Sequence, residues 1–292
     1  MPGGIAKWLL IVKFWTFPIS MVPITVGAVF SKAGFSPMLY LLMVLGIVSV
    51  NFAANMLNDI FDFRHGVDKP SDVAVMRRVH PLIAGTATEH QLLAASAILI
   101  LIAAACGAYI TSLRGLPVAA ACIIGILAAV LYTAGRKNIK SAGLGELLVF
   151  IIYGPLMTAM SYFVESGHFS YAVLAVSVPV GLAISMILLA NNIRDVKADS
   201  EAGLSTLAVR IGLKRAKSVF SLMAAAVYAS IIIYSAAGLI PLYSLVTLAS
   251  IPYAFGMIRN ITSNRDTPHN SAELVSRFAV LFGIFLAAGV LL

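Results

Sequence analysis

The chain has 292 residues, of which 60% are hydrophobic and only 11% are charged, and its formal net charge is +8 at neutral pH. A typical soluble domain has about 25% charged residues, so this composition leaves too little polar surface for a soluble all-helical protein of this size. The basic residues lie between apolar segments rather than in a basic tail or patch, which argues against a nucleic-acid-binding protein.

Apolar segments of about 20 residues recur along the chain, and each can cross the ~30 Å hydrocarbon layer as a helix. They predict an all-α, multi-pass transmembrane bundle of about nine helices, forming a single domain over residues 1–292. The first segment is too long for the apolar part of a cleaved signal peptide, so we expect it to be a span. The nine predicted spans cover residues 8–30, 37–57, 91–111, 116–134, 143–164, 169–190, 217–236, 240–258 and 273–292.

Charged residues divide unevenly between the two sides of this predicted bundle. Eighteen of the 20 Lys and Arg residues fall on the side of the N-terminus, and only Lys32 and Arg114 fall opposite. The positive-inside rule makes the N-terminal side cytoplasmic. Eleven of the twelve acidic residues share that side, with Glu165 opposite. Because carboxylates contribute little to topology, we expect a functional face toward the cytoplasm in a multi-pass protein of the cell membrane.

The first acidic motif lies where the second predicted span meets the cytoplasm. Asn55, Asp59 and Asp62 are spaced i, i+4 and i+7, so they share one face of a helix. Asp68 follows Gly66, which lets the chain turn back toward that face.

The second acidic motif ends the sixth predicted span, where Asn192, Asp195 and Asp199 are spaced i, i+3 and i+7. Carboxylates one turn apart repel each other unless a cation joins them, and Mg²⁺ combines one or two carboxylates with water and phosphate oxygens. Two such motifs in one bundle therefore predict a site that holds a diphosphate and stabilises it as a leaving group. The alternative is two polar helix ends in water, which a single motif would favour but a matched pair does not.

Other polar residues are predicted on the same side. Arg136 and Lys137 are candidates to bind diphosphate oxygens, and Tyr132 to face a cationic intermediate, although membrane anchoring explains these types equally well. Lys13 lies within the first predicted span and either faces the bundle interior or extends to the cytoplasmic surface. Glu146 is either a polar group of the pocket or a favourable carboxylate at a helix N-terminus.

These motifs resemble those of the UbiA superfamily of membrane prenyltransferases. The residues that carry the resemblance are Asn58-Asp59-x-x-Asp62-x-x-x-Gly66-x-Asp68 and Asn192-x-x-Asp195-x-x-x-Asp199. The sequence is most similar to the 1,4-dihydroxy-2-naphthoate polyprenyltransferases of the menaquinone pathway. That likeness rests on the Gly-x-Asp ending of the first motif, the run from Asn191 to Gly212, and Gly143-Leu-Gly145-Glu146 continuing to Gly154-Pro155.

The resemblance implies helices around a central cavity that opens to the cytoplasmic side, with Mg²⁺ and a polyprenyl diphosphate at its mouth. The implied metal ligands are Asn58, Asp59, Asp62, Asp68, Asp195 and Asp199. The implied diphosphate-binding residues are Asn58, Asn192, Lys13, Arg136, Lys137 and Arg194. The implied catalytic residues are Asp59, Asp62, Asp195, Asp199 and Tyr132.

The resemblance predicts Mg²⁺-dependent transfer of a polyprenyl group to a small aromatic acceptor within the membrane lipid, with dihydroxynaphthoate as the expected acceptor. Other acceptors, such as 4-hydroxybenzoate or another phenol, are alternatives with the same fold, as is a terpene cyclase that uses no acceptor. The alternative from another class is a cation-coupled transporter. Transporters place such residues near the bilayer midplane, often at broken helices, whereas these motifs lie at predicted span ends.

Overall fold

The computed structural model describes residues 4–32, 35–66, 80–135, 138–263 and 269–292. Within those ranges every regular element is helical, which confirms the all-α prediction. The helices are α1 (Ile5–Ile11), α2 (Phe17–Phe30), α3 (Pro37–Arg64), α4 (Glu89–Arg114), α5 (Leu116–Leu131), α6 (Gly145–Ser166), α7 (Ala172–Glu201), α8 (Leu207–Ile211), α9 (Leu213–Ala236), α10 (Ile251–Thr262) and α11 (Ser271–Leu291).

Six of these helices, namely α3, α4, α6, α7, α9 and α11, are long and apolar enough to cross a membrane, and the bent pair α1 and α2 makes a seventh. The other two predicted spans are helical as well. One is α5, with 16 residues, and the other combines a 3₁₀ segment, Leu242–Ser250, with α10. The chain is therefore a multi-pass helical bundle.

The first predicted span is not one straight helix, because α1 and α2 meet at a bend of 53°. Lys13 lies at the bend with φ of 55°, in the left-handed region that a non-glycine residue seldom adopts. Its ammonium nitrogen Nζ lies 3.0 Å from Oδ1 of Asp59 on α3. Lys13 therefore faces the bundle interior rather than extending to the surface.

Both helices that carry acidic motifs extend beyond their predicted ends at residues 57 and 190. α3 has 28 residues and α7 has 30, or about 45 Å of helix for the longer one, which exceeds the hydrocarbon thickness. Ile60 and Ile193 lie in these extensions and are almost completely buried. Packing of apolar residues thus keeps the polar ends helical, and the described residues of both motifs lie on helices rather than in connections.

The long helix α7 is the centre of the bundle, since 67% of its most apolar window is buried. It packs against α2, α6, α8, α9 and α11, while α3 packs chiefly against α4. Gly154 of α6 and Gly181 of α7 meet at close range. A Cβ atom on Gly181 would lie 2.8 Å from the carbonyl oxygen of Phe150 and 2.9 Å from Cα of Gly154. This contact fixes the position of α6 along α7.

We predict that Gly181→Ala lowers the free energy of unfolding by about 1–3 kcal/mol, because backbone atoms must move to admit the methyl group. The matched control is Gly256→Ala in α10, where a Cβ atom would meet nothing within 4 Å and alanine favours the helix. Thermal unfolding in detergent measures both variants. Equal effects of the two substitutions would show that the close approach of α6 and α7 does not limit stability.

Candidate active site

A cavity of about 430 Å³ lies between helices α2 to α7. Most of its wall is apolar, and none of the described side chains that line it is charged. At one end it reaches Asn58, Tyr132 and Asn191, which adjoin the two acidic motifs. The cavity thus combines an uncharged interior with an acidic mouth.

The first acidic motif is buried and neutralised by lysines from two other segments. Asp59 and Asp62 are both buried. Nζ of Lys13 lies 3.0 Å from Oδ1 of Asp59, and Nζ of Lys140 lies 2.7 Å from Oδ2 of Asp62. The amide of Asn58 also donates to Asp62. Lys140 was not among the predicted site residues. It lies in a basic run after α5, and such a run by itself indicates only the cytoplasmic side of a span.

The second acidic motif has different partners. Arg194 forms a two-bonded ion pair with its neighbour Asp195, with Nε 2.7 Å from Oδ1 and Nη2 2.5 Å from Oδ2. Nη1 of Arg194 donates to the carbonyl oxygen of His269 at 3.4 Å. Asp199 is buried and accepts a hydrogen bond from Oγ1 of Thr206 at 3.2 Å. Sequence reasoning missed Thr206, whose hydroxyl reaches Asp199 through the turn between α7 and α8.

The two motifs converge at the mouth of the cavity. Asp199 of α7 interacts electrostatically with Asp62 of α3 and with Lys140, which is already paired with Asp62. Tyr132 interacts in the same way with Asp62 and Asp199. The phenol ring of Tyr132 therefore lies where the ends of α3 and α7 meet.

Glu146 links the start of α6 to the second motif. Its Oε1 accepts a hydrogen bond from Nδ2 of Asn192 at 2.8 Å, and its carbonyl oxygen accepts one from Ser185 at 2.7 Å. Glu146 also lies in the first turn of α6 and is not among the residues that line the cavity, so its position fits the carboxylate at a helix N-terminus. A Cβ atom on Gly145 would lie 3.3 Å from the ring of Tyr132, so only a small residue leaves room for that ring.

The structure brings together Asn58, Asp59, Asp62, Asp199, Asn192, Tyr132 and Lys13, with the pair Arg194–Asp195 one turn before Asp199 on α7. Three predicted site residues, Asp68, Arg136 and Lys137, lie outside the described residues.

The oxygen atoms at the mouth can serve as ligands of Mg²⁺ if other ligands complete its coordination. Within the described ranges, no three His, Cys, Asp or Glu side chains are grouped to hold a metal ion by themselves. The four carboxylates and the Asn58 amide nevertheless all offer oxygen, and Mg²⁺ needs only one or two carboxylates when water and phosphate oxygens complete its octahedron. The residues therefore fit Mg²⁺ bound together with a diphosphate better than Mg²⁺ in a cage made only by protein.

Comparisons with known proteins identify the family of this chain. The UbiA prenyltransferase family model matches residues 20–290. A UbiA prenyltransferase domain-containing protein 1 from Mus musculus is 28% identical over 98% of this chain and 84% of its own length. The 2-carboxy-1,4-naphthoquinone phytyltransferase of a Synechocystis strain is 27% identical over 99% of this chain and 94% of its own.

The fold also matches solved structures. A UbiA homolog from Archaeoglobus fulgidus bound to GPP and Mg²⁺ superposes with a TM-score of 0.70, covering 97% of this chain and 98% of that one at 16% identity. The two chains therefore share one helical architecture along nearly their whole lengths.

We predict that Lys140→Met lowers the free energy of unfolding by about 3 kcal/mol, because it leaves Asp62 buried without its cation. The side chains of this pair are only 15% and 9% exposed. The control is Arg277→Met, which breaks an ion pair whose side chains are 67% and 58% exposed and costs less than about 1 kcal/mol. Adding Asp62→Leu to Lys140→Met should recover much of the loss in thermal unfolding, and a further loss would contradict the prediction.

Proposed function

This chain belongs to the UbiA prenyltransferase family and is a prenyltransferase, and we propose that it transfers a polyprenyl group from a polyprenyl diphosphate to 1,4-dihydroxy-2-naphthoate in menaquinone biosynthesis. In this proposal the reaction depends on Mg²⁺ and takes place at the cytoplasmic face of the cell membrane. Residues 1–292 act as one prenyltransferase domain. The similarity to a 2-carboxy-1,4-naphthoquinone phytyltransferase supports a naphthalene-type acceptor.

The observation that carries the proposal is the convergence of the buried carboxylates Asp59, Asp62 and Asp199 of the two acidic motifs at the mouth of an uncharged cavity. An isoprenoid diphosphate has the same division into a charged head and an apolar chain. The cavity wall accommodates the chain by burial of apolar surface. The mouth concentrates the charged groups that a metal-bound diphosphate requires.

Each candidate residue has a role in this proposal. The residues that hold Mg²⁺ are Asn58, Asp59, Asp62, Asp68, Asp195 and Asp199. The residues that donate to the diphosphate are Asn58, Asn192, Lys13, Arg136, Lys137 and Arg194, and we add Lys140. Both Lys13 and Lys140 are already within 3.0 Å of motif carboxylates, so their ammonium groups lie where diphosphate charge accumulates.

The reaction then follows from these positions. Bound Mg²⁺ supplies positive charge that stabilises the departing diphosphate. The bond between the allylic carbon and oxygen breaks, and its electron pair leaves with the diphosphate. The face of Tyr132 stabilises the positive charge that develops on carbon, and the apolar wall excludes the water that would intercept it. The electron-rich ring forms the new carbon–carbon bond, and its carbon then loses carbon dioxide, or a proton where it bears no carboxylate.

We predict that Asp59→Asn and Asp195→Asn each lower kcat/KM with Mg²⁺ and a prenyl diphosphate by about 100-fold or more, because each removes a carboxylate that binds the metal. Purified protein in detergent is assayed for prenylated product. The matched control is Glu201→Gln, an exposed acid on the same helix as Asp195, which should retain full activity. Undiminished turnover in both aspartate variants would refute the assignment of the metal site.

We predict that dihydroxynaphthoate is prenylated with loss of carbon dioxide, which mass detection of lipid products reports as a mass 44 units below the simple adduct. 4-Hydroxybenzoate, a simple phenol and a reaction with no acceptor are run in parallel. Preferred prenylation of 4-hydroxybenzoate would replace the proposed acceptor, and a cyclic hydrocarbon formed without acceptor would replace transfer by cyclisation. Substrate-dependent cation flux in proteoliposomes would indicate a transporter instead.

A further inference from the structure

A second polar feature lies deeper in the cavity than the acidic motifs. It is a chain of hydrogen bonds that joins Asn55, Thr16, Asn51 and Tyr153, and all four residues line the cavity. Asn51 precedes Asp59 by eight residues on the same helix, which corresponds to about 12 Å at 1.5 Å per residue. The chain of hydrogen bonds thus begins at Asn55 in the first acidic motif, and its other end, Asn51 and Tyr153, lies deeper in the cavity than the carboxylates.

A backbone carbonyl fixes the direction of this chain. Nδ2 of Asn55 lies 3.1 Å from the carbonyl oxygen of Val12, which can only accept, so this atom is the amide nitrogen. The same nitrogen lies 3.3 Å from Oδ1 of Asn51. Nδ2 of Asn55 shares its two protons among the Val12 carbonyl oxygen, Oγ1 of Thr16 and Oδ1 of Asn51. Oγ1 of Thr16 also donates to Oδ1 of Asn51 at 2.8 Å, so the oxygen of Asn51 faces Thr16 and Asn55 and its nitrogen faces away.

The orientation of the Asn51 amide determines whether the Tyr153 hydroxyl accepts or donates a hydrogen bond. Nδ2 of Asn51 donates to the hydroxyl oxygen of Tyr153 at 3.0 Å. Because the oxygen accepts this bond, the single proton of the phenol remains to be donated elsewhere. Within the described chain this hydroxyl has no further hydrogen-bond partner. Its proton is therefore available to a molecule in the cavity.

We infer, on the basis of the proposed prenyl transfer, that the Tyr153 hydroxyl donates to a ring oxygen of the aromatic acceptor and so selects hydroxyarenes. The lining around Tyr153 is otherwise largely apolar and carries no charge among the described side chains. A ring oxygen there finds a donor in Tyr153 that is already held in place by Asn51. An arene without that oxygen leaves the tyrosine proton unpaired in a largely apolar cavity, which disfavours its binding.

Distances along α3 are compatible with this assignment. A metal–oxygen contact takes about 2 Å, and two reacting carbon atoms approach to about 3.3 Å. From the ~12 Å between Asp59 and Asn51 this leaves about 7 Å for the phosphoester linkage and one aromatic ring. This length is of the order of one aromatic ring, so an acceptor between the mouth and Asn51 is compatible with a contact between a ring oxygen and Tyr153.

Asn51 is a positioning residue in this scheme, because it acts on the acceptor only through Tyr153. Asn51→Asp preserves the volume but replaces the amide nitrogen by an oxygen. The tyrosine proton would then turn toward that oxygen and away from the cavity. We therefore expect Asn51→Asp to lose the same selectivity as Tyr153→Phe, without any change in the size of the cavity.

The experiment compares binding of 1-naphthol with binding of 1-fluoronaphthalene, a poor hydrogen-bond acceptor of similar shape, to the full chain in lipid nanodiscs. Each ligand partitions into the lipid equally for every variant, so differences in binding between variants measure binding to the cavity. We expect the wild-type chain to prefer 1-naphthol by about 10-fold or more. Tyr153→Phe and Asn51→Asp should reduce that preference to about 2-fold or less.

The matched control is Tyr162→Phe on the same helix. The Tyr162 hydroxyl also makes one side-chain hydrogen bond, to Nε2 of His168 at 3.1 Å, but Tyr162 does not line the cavity. Tyr162→Phe should therefore leave the preference for 1-naphthol unchanged. An equal loss in Tyr162→Phe, or a preference that survives Tyr153→Phe, overturns the inference.

Failure of this inference is distinguishable from failure of the proposed function. If Tyr153→Phe retains the preference while Asp59→Asn abolishes transfer, prenyl transfer stands and the acceptor is oriented by other groups. If the wild-type chain prenylates no hydroxyarene, the proposed function fails, whereas the binding comparison still decides whether Tyr153 recognises a ring oxygen.

Discussion

Buried carboxylates need compensating charge, and this requirement organises the end of the bundle where α3 and α7 meet. Asp59 is paired with Lys13, which adopts a left-handed backbone conformation at the bend between α1 and α2. Asp62 is paired with Lys140, which comes from the connection after α5. Ion pairs thus tie two otherwise separate segments to α3. In the proposed function a metal-bound diphosphate adds both cations and anions to the same small volume, where the two ion pairs already balance the carboxylate charge.

Local sequence patterns predicted the parts of this site that depend on one helix. Asn55, Asp59 and Asp62 share a face because the helical period requires it, and the apolar segments predicted the helices around the cavity. Contacts between distant segments were not predictable in this way. The ion pair of Lys140 spans 78 positions and the Asn51–Tyr153 hydrogen bond spans 102. The bend at Lys13 likewise follows from a partner on another helix, which no local spacing reveals.

The cavity changes in polarity from its mouth to its depth. Charged groups stand at the ends of α3 and α7, neutral amides and hydroxyls follow about two turns deeper, and an apolar wall continues toward Val164. In the proposed reaction, an uncharged interior suits a cationic transition state only if the negative diphosphate stays at the mouth. In that proposed reaction, keeping the carboxylates on one level and the neutral donors on another separates departure of the diphosphate from orientation of the acceptor.

Helix α6 contains a π-helical segment, Ile152–Leu156, which helps to keep one face of the helix along the cavity. Residues of α6 line the cavity in pairs that recur every four positions, namely 148–149, 152–153, 156–157 and 160–161, followed by Val164. In a regular α-helix four residues advance by about 400°, so four such repeats would turn the lining about 160° away from the cavity. The segment Ile152–Leu156 has more residues per turn and removes part of that rotation. Tyr153 lies within this π-helical segment and lines the cavity. The same local change in helical twist therefore places both the cavity wall and the Tyr153 side chain.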